Sequence, residues 1–544
     1  MEKKEKGRTL FRRRVSVQED KNTHNQLKKE IEYWKKKKDN KLNKIDNILD
    51  DEKTFPTLIS PLYGDPNNRD VLQGGFLPPN HFQRIGTTIT ADNGEKYIAA
   101  GPRYHVALDN RNVKACIVTC GGLCPGLNVI IRELVNTLKF NYGVEEIYGI
   151  KWGYGGFYKN EDFWVKLGPE DVREIHTLGG TILGTCRGGF DGEKISEAII
   201  KRGVNMGFFI GGDGTHRGIK ALCKIFKEKK KKIILIGIPK TIDNDIPIID
   251  SSFGLETAIE ESVHIIRCAN VEANCNANGI GLVKLFGRSS GFVAMYSTLA
   301  SRDVNICLVP EVPFNLYGEN GLIDYIFKRI KIKHHCVIVV GEGAGFAVRD
   351  FNIELSGKTD KSGNPVLPDI GLILKEEIKK RAEERGIDIN LKYINPTYII
   401  RACPPNSYDV KYCVKLAQGA INGAFAGFTN FSIGIINHHP CLIPIDKISQ
   451  EGVIRKIQTS DEDYIMMLAT TGQPSFYPQV TLTKDIKIQT LAETKGEINK
   501  VGEEIEIKDT IKEENNDLDE EDEKNSENSK SDSEENKNKI FNFN

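Results

Sequence analysis

Residues 207–218 read GFFIGGDGTHRG, and a short distance on the chain reads GIPKTIDNDIP (237–247). Both stretches are apolar runs that end abruptly in small and polar residues. An apolar run closing on paired glycines reads as a buried strand meeting a sharp turn, because glycine takes backbone conformations that other residues avoid. The same texture recurs in VKACIVTC (113–120), GIGLVKLFG (279–287) and CVIVVGEG (336–343). Helical spacing follows in stretches such as LNVIIRELVNTL (127–138) and LETAIEESVHIIRCA (255–269). Alternating strand and helix units with near-continuous apolar strands predict an α/β fold with parallel-rich sheets covered on both faces. In such sheets ligands sit beyond the carboxyl ends of the strands, where these glycine turns fall.

The loops carry the chemistry. In GGDGT (211–215) the turn presents Asp213 as a hard oxygen ligand and Thr215 as a hydroxyl. A carboxylate near bound phosphates suits Mg²⁺, which bridges carboxylate or its waters to phosphate oxygens. In PKTIDND (239–245), Thr241, Asp243 and Asp245 alternate, and in an extended segment they line one side. An aspartate held near a sugar hydroxyl accepts its proton as the oxygen attacks phosphorus. Asp245 positions that base or shares in holding the metal. Several acids around one phosphoryl transfer need cations, which Mg²⁺, Lys240 and Arg187 supply. TCGGLCPGLN (119–128) adds backbone N–H groups at a helix start, and TLGGTILGTCRGGFD (177–191) adds Arg187 in a polar loop. GGDGT alone is shared with lipid kinases and NAD kinases. PKTIDND downstream is what separates these owners.

The whole chain sets bounds. It has 544 residues, 39% hydrophobic and 28% charged, which suits two to four domain-sized units with a substantial core. Its 75 basic and 75 acidic residues cancel, so global charge points to neither nucleic acid nor membrane. The 12 cysteines include no CxxC pair, which argues for free thiols over a zinc site or disulfide scaffold. No apolar stretch approaches the roughly 18 residues that span a bilayer. The N-terminus lacks the apolar centre of a secretory signal, and the expected location is the cytoplasm. Residues 1–55 form a charged extension, including HNQLKKEIEYWKKKK (24–38), and 56–112 an irregular N-terminal embellishment. From about Asp509 the chain is acidic, rich in Ser and Asn and nearly free of apolar residues, so the 481–544 tail is expected to be largely disordered.

GGDGT, PKTIDND, LFGRSSGF (285–292), VVGEGAG (339–345) and YIIRACPP (398–405), in that order, resemble 6-phosphofructokinase. The similarity runs from about Val113 to Tyr477. EVPFNLYGENG (311–321) and TGQPSF (471–476) resemble the ATP-using branch of plants and trypanosomatids. The resemblance implies two α/β lobes, nucleotide mainly on 113–255 and sugar phosphate mainly on 256–440, within a catalytic region of 113–480. It also implies fructose 6-phosphate and ATP as substrates, Mg²⁺, and an allosteric homotetramer or dimer. Gly122, Arg187, Gly188, Gly212, Asp213, Gly214 and Thr215 would contact ATP, with Asp213 on Mg²⁺. Asp243 would be the general base, Thr241 would sit beside the transferring group and Arg288 would stabilise its charge. Ile242, Phe286, Gly287, Glu342, Lys392, Tyr398 and Arg401 would complete the sugar-phosphate side.

This chain departs from the bacterial pattern. Tyr398 stands where bacterial enzymes have histidine. Two bacterial arginines that reach across a subunit interface align with Gly279 and Lys392, so part of that charge is missing or has moved to Lys284. The donor signals conflict. Gly214 replaces an aspartate that would repel the α-phosphate of ATP, whereas Lys240 is the residue of pyrophosphate-using relatives. A flexible lysine can swing aside, but a carboxylate against the α-phosphate cannot escape Coulomb repulsion, so ATP is the expected donor. A pyrophosphate-dependent enzyme and a non-catalytic regulatory homologue are the alternatives.

Overall fold

Apolar runs such as Met206–Gly211 and Ile234–Pro239 are buried along their whole length, as strands covered on both faces must be. The structure is a computed structural model. It describes residues 43, 45, 46, 48, 58–64, 88–103, 105–318, 320–351, 357–359, 365–450 and 452–476. All of these lie in one unit, residues 1–478. The expected disordered tail (481–544), most of the charged extension (1–55) and part of the 56–112 embellishment lie outside the described residues. Of the extension, the backbones of Asn43, Asp46 and Ile48 bond to Lys96, Thr429 and Gly427.

The strands are β1 (Leu58–Ile59), β2 (Thr88–Thr90), β3 (Lys96–Ala99), β4 (His105–Val106), β5 (Lys114–Thr119), β6 (Glu146–Ile150), β7 (Trp164–Lys166) and β8 (Met206–Gly211). They continue as β9 (Ile234–Pro239), β10 (Gly279–Leu285), β11 (Ile306–Leu308), β12 (His335–Gly341), β13 (Asn390–Ile394), β14 (Phe431–Ile436) and β15 (His439–Pro444). A nine-stranded sheet has the order β2-β3-β15-β14-β9-β8-β5-β6-β7. Its centre, β14 to β6, is parallel, and the flanking strands are antiparallel. A second sheet, β11-β12-β10-β13, is wholly parallel. The fold is therefore α/β with two sheets flanked by helices. The chain builds most of the first sheet, crosses to the second at β10, and returns with the helix Ser407–Phe425, β14 and β15.

Helix starts are set by short polar side chains. Asp191 accepts from Lys194 N, Asp369 from Gly371 N and Leu372 N, and Asn406 from Asp409 N. The helix Leu255–Asn274 follows Gly254 in a left-handed conformation. The buried carboxylate of Asp409, on the facing helix, accepts from Gly254 N at 2.7 Å, Thr257 N at 2.8 Å and the Thr257 hydroxyl at 2.5 Å. This ties the start of the helix crossing to the second sheet against the helix returning from it.

All 12 cysteines are free thiols, and seven of them are buried. Among the described residues no helix is long and apolar enough to cross a membrane.

Candidate active site

Five strands of the two sheets end in the loops that the sequence singles out. Thr119 of β5 runs into Gly121–Gly122, Gly211 of β8 into Gly212–Asp213, and Pro239 of β9 into Lys240–Asp245. In the second sheet Leu285 of β10 runs into Phe286–Arg288, and Gly341 of β12 into Glu342.

On the first sheet, two loops are zipped together. Gly121 N donates to Cys186 O at 3.1 Å and the Thr185 hydroxyl to Gly121 O at 2.8 Å. The exposed Arg187 is thereby held over the turn, with a guanidinium nitrogen 3.7 Å from where a Cβ on Gly122 would lie. Gly188 follows with a positive φ of 75°. Asn128, buried inside the helix Leu127–Asn136, fastens the loop from below. Its amide donates to Leu178 O and Gly179 O and accepts from Ile182 N. Sequence reading missed this role, although a lone asparagine in an apolar helix face was the available signal.

Gly212 precedes the helix Asp213–Glu228, whose first N–H groups lack intrahelical partners and whose dipole favours an anion. Burial raises the carboxyl of Asp213 above its usual range, while Arg217 opposes this. A Cβ built on Gly214 would meet nothing nearer than Arg217 at 4.0 Å, so the turn is open on that side. Thr215 is buried, and its carbonyl accepts from Tyr154 OH at 2.7 Å. His216 is a second residue that sequence reading missed. Fully buried, it is pushed down to about 4 and is neutral. Its Nδ1–H donates to Gly212 O (3.0 Å), so Nε2 accepts from the Ser432 hydroxyl (2.9 Å). The glycine turn is thus pinned from the core.

TIDND is not the extended segment that its alternation suggested. Asn244 has φ 57°, which folds the run back. The Thr241 hydroxyl donates to Asp245 Oδ1 at 2.7 Å and accepts from Asp243 N at 3.2 Å, closing a side-chain turn. Asn244 Oδ1 accepts from Ser252 N at 3.0 Å, and Arg455 N bonds to Asp245 O at 2.9 Å. Asp245 is therefore engaged by Thr241. The only hydrogen bond to the Asp243 carboxylate among the described residues is a long one, 3.4 Å, from Arg288 N. Burial pushes the Asp243 carboxyl up to about 7, helped by the negative charges of Asp245 and Glu342. Asp245 is also raised, first by burial. A carboxylate poised near neutrality and short of donors is suited to accept a proton.

Asp243 meets the second sheet through two stacked loops. Gly343 N donates to Gly287 O at 2.8 Å, and a Cβ on Gly343 would lie 1.9 Å from Arg288 O, so only glycine permits the approach. Arg288's guanidinium reaches Pro365 O. Ile242 packs on the core of the first sheet and Phe286 on that of the second. Tyr398 is 74% exposed, with the Arg401 guanidinium 4.8 Å over its ring. The short helix Ile399–Ala402 that carries Arg401 lies against Gly179 of the Arg187 loop.

Lys392 stands apart from these loops, exposed in the body of the edge strand β13. Lys284 does not offer a spare charge. Its ammonium is 2.8 Å from Asp369, whose other oxygen accepts from Tyr393 OH at 2.7 Å. Gly279 is explained by packing: a Cβ there would lie 2.0 Å from Ala273 O, so no arginine fits.

Among the described residues no cluster of three or more His, Cys, Asp or Glu is placed to hold a metal ion. A Mg²⁺ ion bound chiefly through phosphate oxygens and water needs only one or two carboxylates. Asp213, whose carboxylate makes no hydrogen bond among the described residues, fits that requirement, with Asp245 close enough to feel its charge.

A family model described as phosphofructokinase matches residues 114–424. The chain is 45% identical over 437 residues to ATP-dependent 6-phosphofructokinase 7 of Arabidopsis thaliana, covering 80% of this chain and 89% of that one. It is 40% identical over 395 residues to ATP-dependent 6-phosphofructokinase of Borreliella burgdorferi, covering 70% and 87%. Among solved structures, a pyrophosphate-dependent phosphofructokinase from Marinobacter aquaeolei matches with TM-score 0.53 at 16% identity, covering 67% of this chain and 93% of that one. At that identity the likeness concerns the fold alone.

Proposed function

This chain belongs to the phosphofructokinase family, and from that premise we propose that it transfers the γ-phosphoryl group of ATP to the 1-hydroxyl of D-fructose 6-phosphate. The products are fructose 1,6-bisphosphate and ADP, and the reaction is the committed step of glycolysis. The observation that carries this reading is Asp243, half-buried where loops of the two sheets meet and raised to about 7.

In this reading the nucleotide lies on the nine-stranded sheet, its phosphates over the Gly121–Gly122 turn and the start of the helix at Asp213, with Arg187 across them. Gly214 leaves room for the α-phosphate. Fructose 6-phosphate lies on the four-stranded sheet, its hydroxyls on Glu342 and its 6-phosphate on Tyr398 and Arg401. Asp243 accepts the 1-hydroxyl proton, the oxygen attacks the γ-phosphorus in line, and the electron pair of the broken bond leaves on ADP. Thr241 holds Asp245 away from the base, so one carboxylate acts while its neighbour stays paired. Arg288 swings from Pro365 O to the transferring group. Mg²⁺, held by Asp213 and phosphate oxygens, would supply charge neutralisation.

We place the enzyme in the cytoplasm as an allosteric homotetramer, with Lys392 of the exposed edge strand contacting phosphate across a subunit interface. The test is a steady-state assay of the purified chain with fructose 6-phosphate, Mg²⁺ and either ATP or pyrophosphate, measuring fructose 1,6-bisphosphate. Turnover only with pyrophosphate overturns the donor, and turnover with neither overturns the activity.

A further inference from the structure

Arg455 takes part in no step of the reaction just described, yet it touches both of the loops that meet at Asp243. It lies where the chain crosses once more from the first sheet to the second, after the short helix Ile445–Ile448 and before the helix Glu462–Thr471. Ile457, Tyr464 and Met467, just beyond it, pack with Leu285 and Phe292 in the core of the second sheet. The main chain of Arg455 bridges two strand ends. Its N–H bonds to Asp245 O at 2.9 Å, two residues beyond the base. Its carbonyl accepts from the buried Ser290 hydroxyl, two residues beyond Arg288. Glu311 fastens the same seam, accepting from Ile457 N at 3.0 Å and Gly291 N at 2.9 Å.

The side chain turns back to the loop that follows the base. Its Nη1 donates to Ile249 O at 3.3 Å and to Asp250 O at 2.8 Å, and the guanidinium carbon stands 5.0 Å over the Phe292 ring. One side chain thus joins carbonyls of the first sheet's loop to an aromatic ring of the second sheet's core. The gripped loop needs holding. Ile248 has φ 81°, a left-handed conformation that a β-branched residue disfavours. Asn244 closes the loop onto Ser252 N, and the Asp250 carboxylate ties it to Asn437 N and His438 N, each at 2.8 Å. Packing covers only part of it. Pro247, Ile248, Ile249, Asp250 and Arg455 line a cleft of about 490 Å³, so one face of the loop has no core behind it. On that face the hydrogen bonds to Ile249 O and Asp250 O decide where the loop stands, and the loop is continuous with Asp243.

We propose that Arg455 is a positioning residue for phosphoryl transfer, its guanidinium fixing the Ile249 and Asp250 carbonyls and so holding the Asp243 carboxylate in register with Arg288. The inference rests on the phosphoryl-transfer reading above. Arg455 touches neither substrate and exchanges no proton. Asp243 takes the hydroxyl proton, and Arg288 meets the transferring group, as already described. A base displaced by about 1 Å loses much of its effect, while binding groups on other loops keep theirs. Arg455 therefore acts on turnover through Asp243 and leaves the affinity for both substrates to other residues.

The test uses Arg455→Met in the full chain, which keeps a flexible stem against the Phe292 ring and removes the donors. By hydrogen exchange, the amides of Asp250 and Ser252, bonded to Ile435 O and Asn244 Oδ1, should exchange about tenfold faster than in the unaltered protein. In steady state kcat should fall about 10- to 100-fold, with KM for ATP and for fructose 6-phosphate within about threefold. Arg455→Lys, which keeps a donor on the stem, should recover part of the loss. In an Asp243→Asn background the same Arg455→Met change should lower kcat by less than about twofold more. A merely structural arginine would lower kcat alike in both backgrounds. Equal losses in the two backgrounds, a loss confined to KM, or unchanged exchange overturns the assignment. If circular dichroism shows that Arg455→Met does not fold, Arg455→Gln carries the same comparison. An unaltered chain inactive with both donors defeats the phosphoryl-transfer reading, whereas the exchange rates judge the hold on the loop by themselves.

Discussion

Replacing Asp243 by Asn should make the protein more stable at pH 8 and nearly inactive. The folded structure raises this carboxyl from 3.8 to about 7, about three units, each worth about 1.36 kcal/mol. The full cost of ionising it in place is therefore on the order of 4 kcal/mol, shared with its raised neighbour Asp245. The sign follows from proton binding. Between about pH 4 and pH 7 the folded state holds a proton that the unfolded chain has released, so stability falls as pH rises through that window. Below pH 4 both states are protonated and no cost remains. Asn carries no charge to bury and can still accept from Arg288 N. Its advantage over Asp should grow by about 2–3 kcal/mol between pH 5 and pH 8, measured by urea unfolding of both proteins at the two pH values. Turnover should fall about 10²- to 10⁴-fold, with much smaller changes in substrate binding. An advantage that does not depend on pH, or near-normal turnover, would refute the reasoning that burial and neighbouring charge hold this base near neutrality.

Three further perturbations probe other parts of the site. Gly214→Asp puts a carboxylate into the open side of the turn, where two unit charges about 4 Å apart repel by about 4 kcal/mol at an effective dielectric of 20. The KM for ATP should rise at least about tenfold. Folding should be unharmed, because an acid suits the first turn of a helix, and an unchanged KM would sink this reading of donor choice. Glu342→Gln removes one of the charges that raise Asp243, so the acid limb of kcat against pH should move to lower pH; a limb that stays put or moves upward argues against the coupling. Asp409→Ala leaves Gly254 N, Thr257 N and the Thr257 hydroxyl without their buried acceptor, and urea unfolding should show a loss of about 3–5 kcal/mol.

Much of the frame was legible in the chain itself. Period and composition are local properties, so apolar runs closing on glycine marked β5, β8, β10 and β12, one closing on Pro239 and polar residues marked β9, and the chemistry-bearing residues fell at their carboxyl ends. The glycines could be located from sequence, but most of their reasons could not. Gly279 is required by the backbone of Ala273, and Gly343 by Arg288 O in a loop from another strand. The alternation of Thr241, Asp243 and Asp245 misled, because a left-handed Asn244 turns the run back on itself, and Thr241 then pairs with Asp245.

What the sequence by itself determined is which residues stand at the ends of which strands. Only the tertiary structure decided what each of them is. Asp243 and Asp245 stand two residues apart in one run, yet Asp245 is tied to Thr241, while Asp243 faces Glu342 and receives, among the described residues, one long N–H bond. Lys240 reads as a donor-specificity marker in one dimension. In three it reaches past β8 to a bare turn at Gly121, buried with no hydrogen bond or ion pair from its ammonium among the described residues. The physical reason is the same in each case. Secondary structure follows from neighbours along the chain, whereas desolvation and charge coupling depend on which distant loops displace the water.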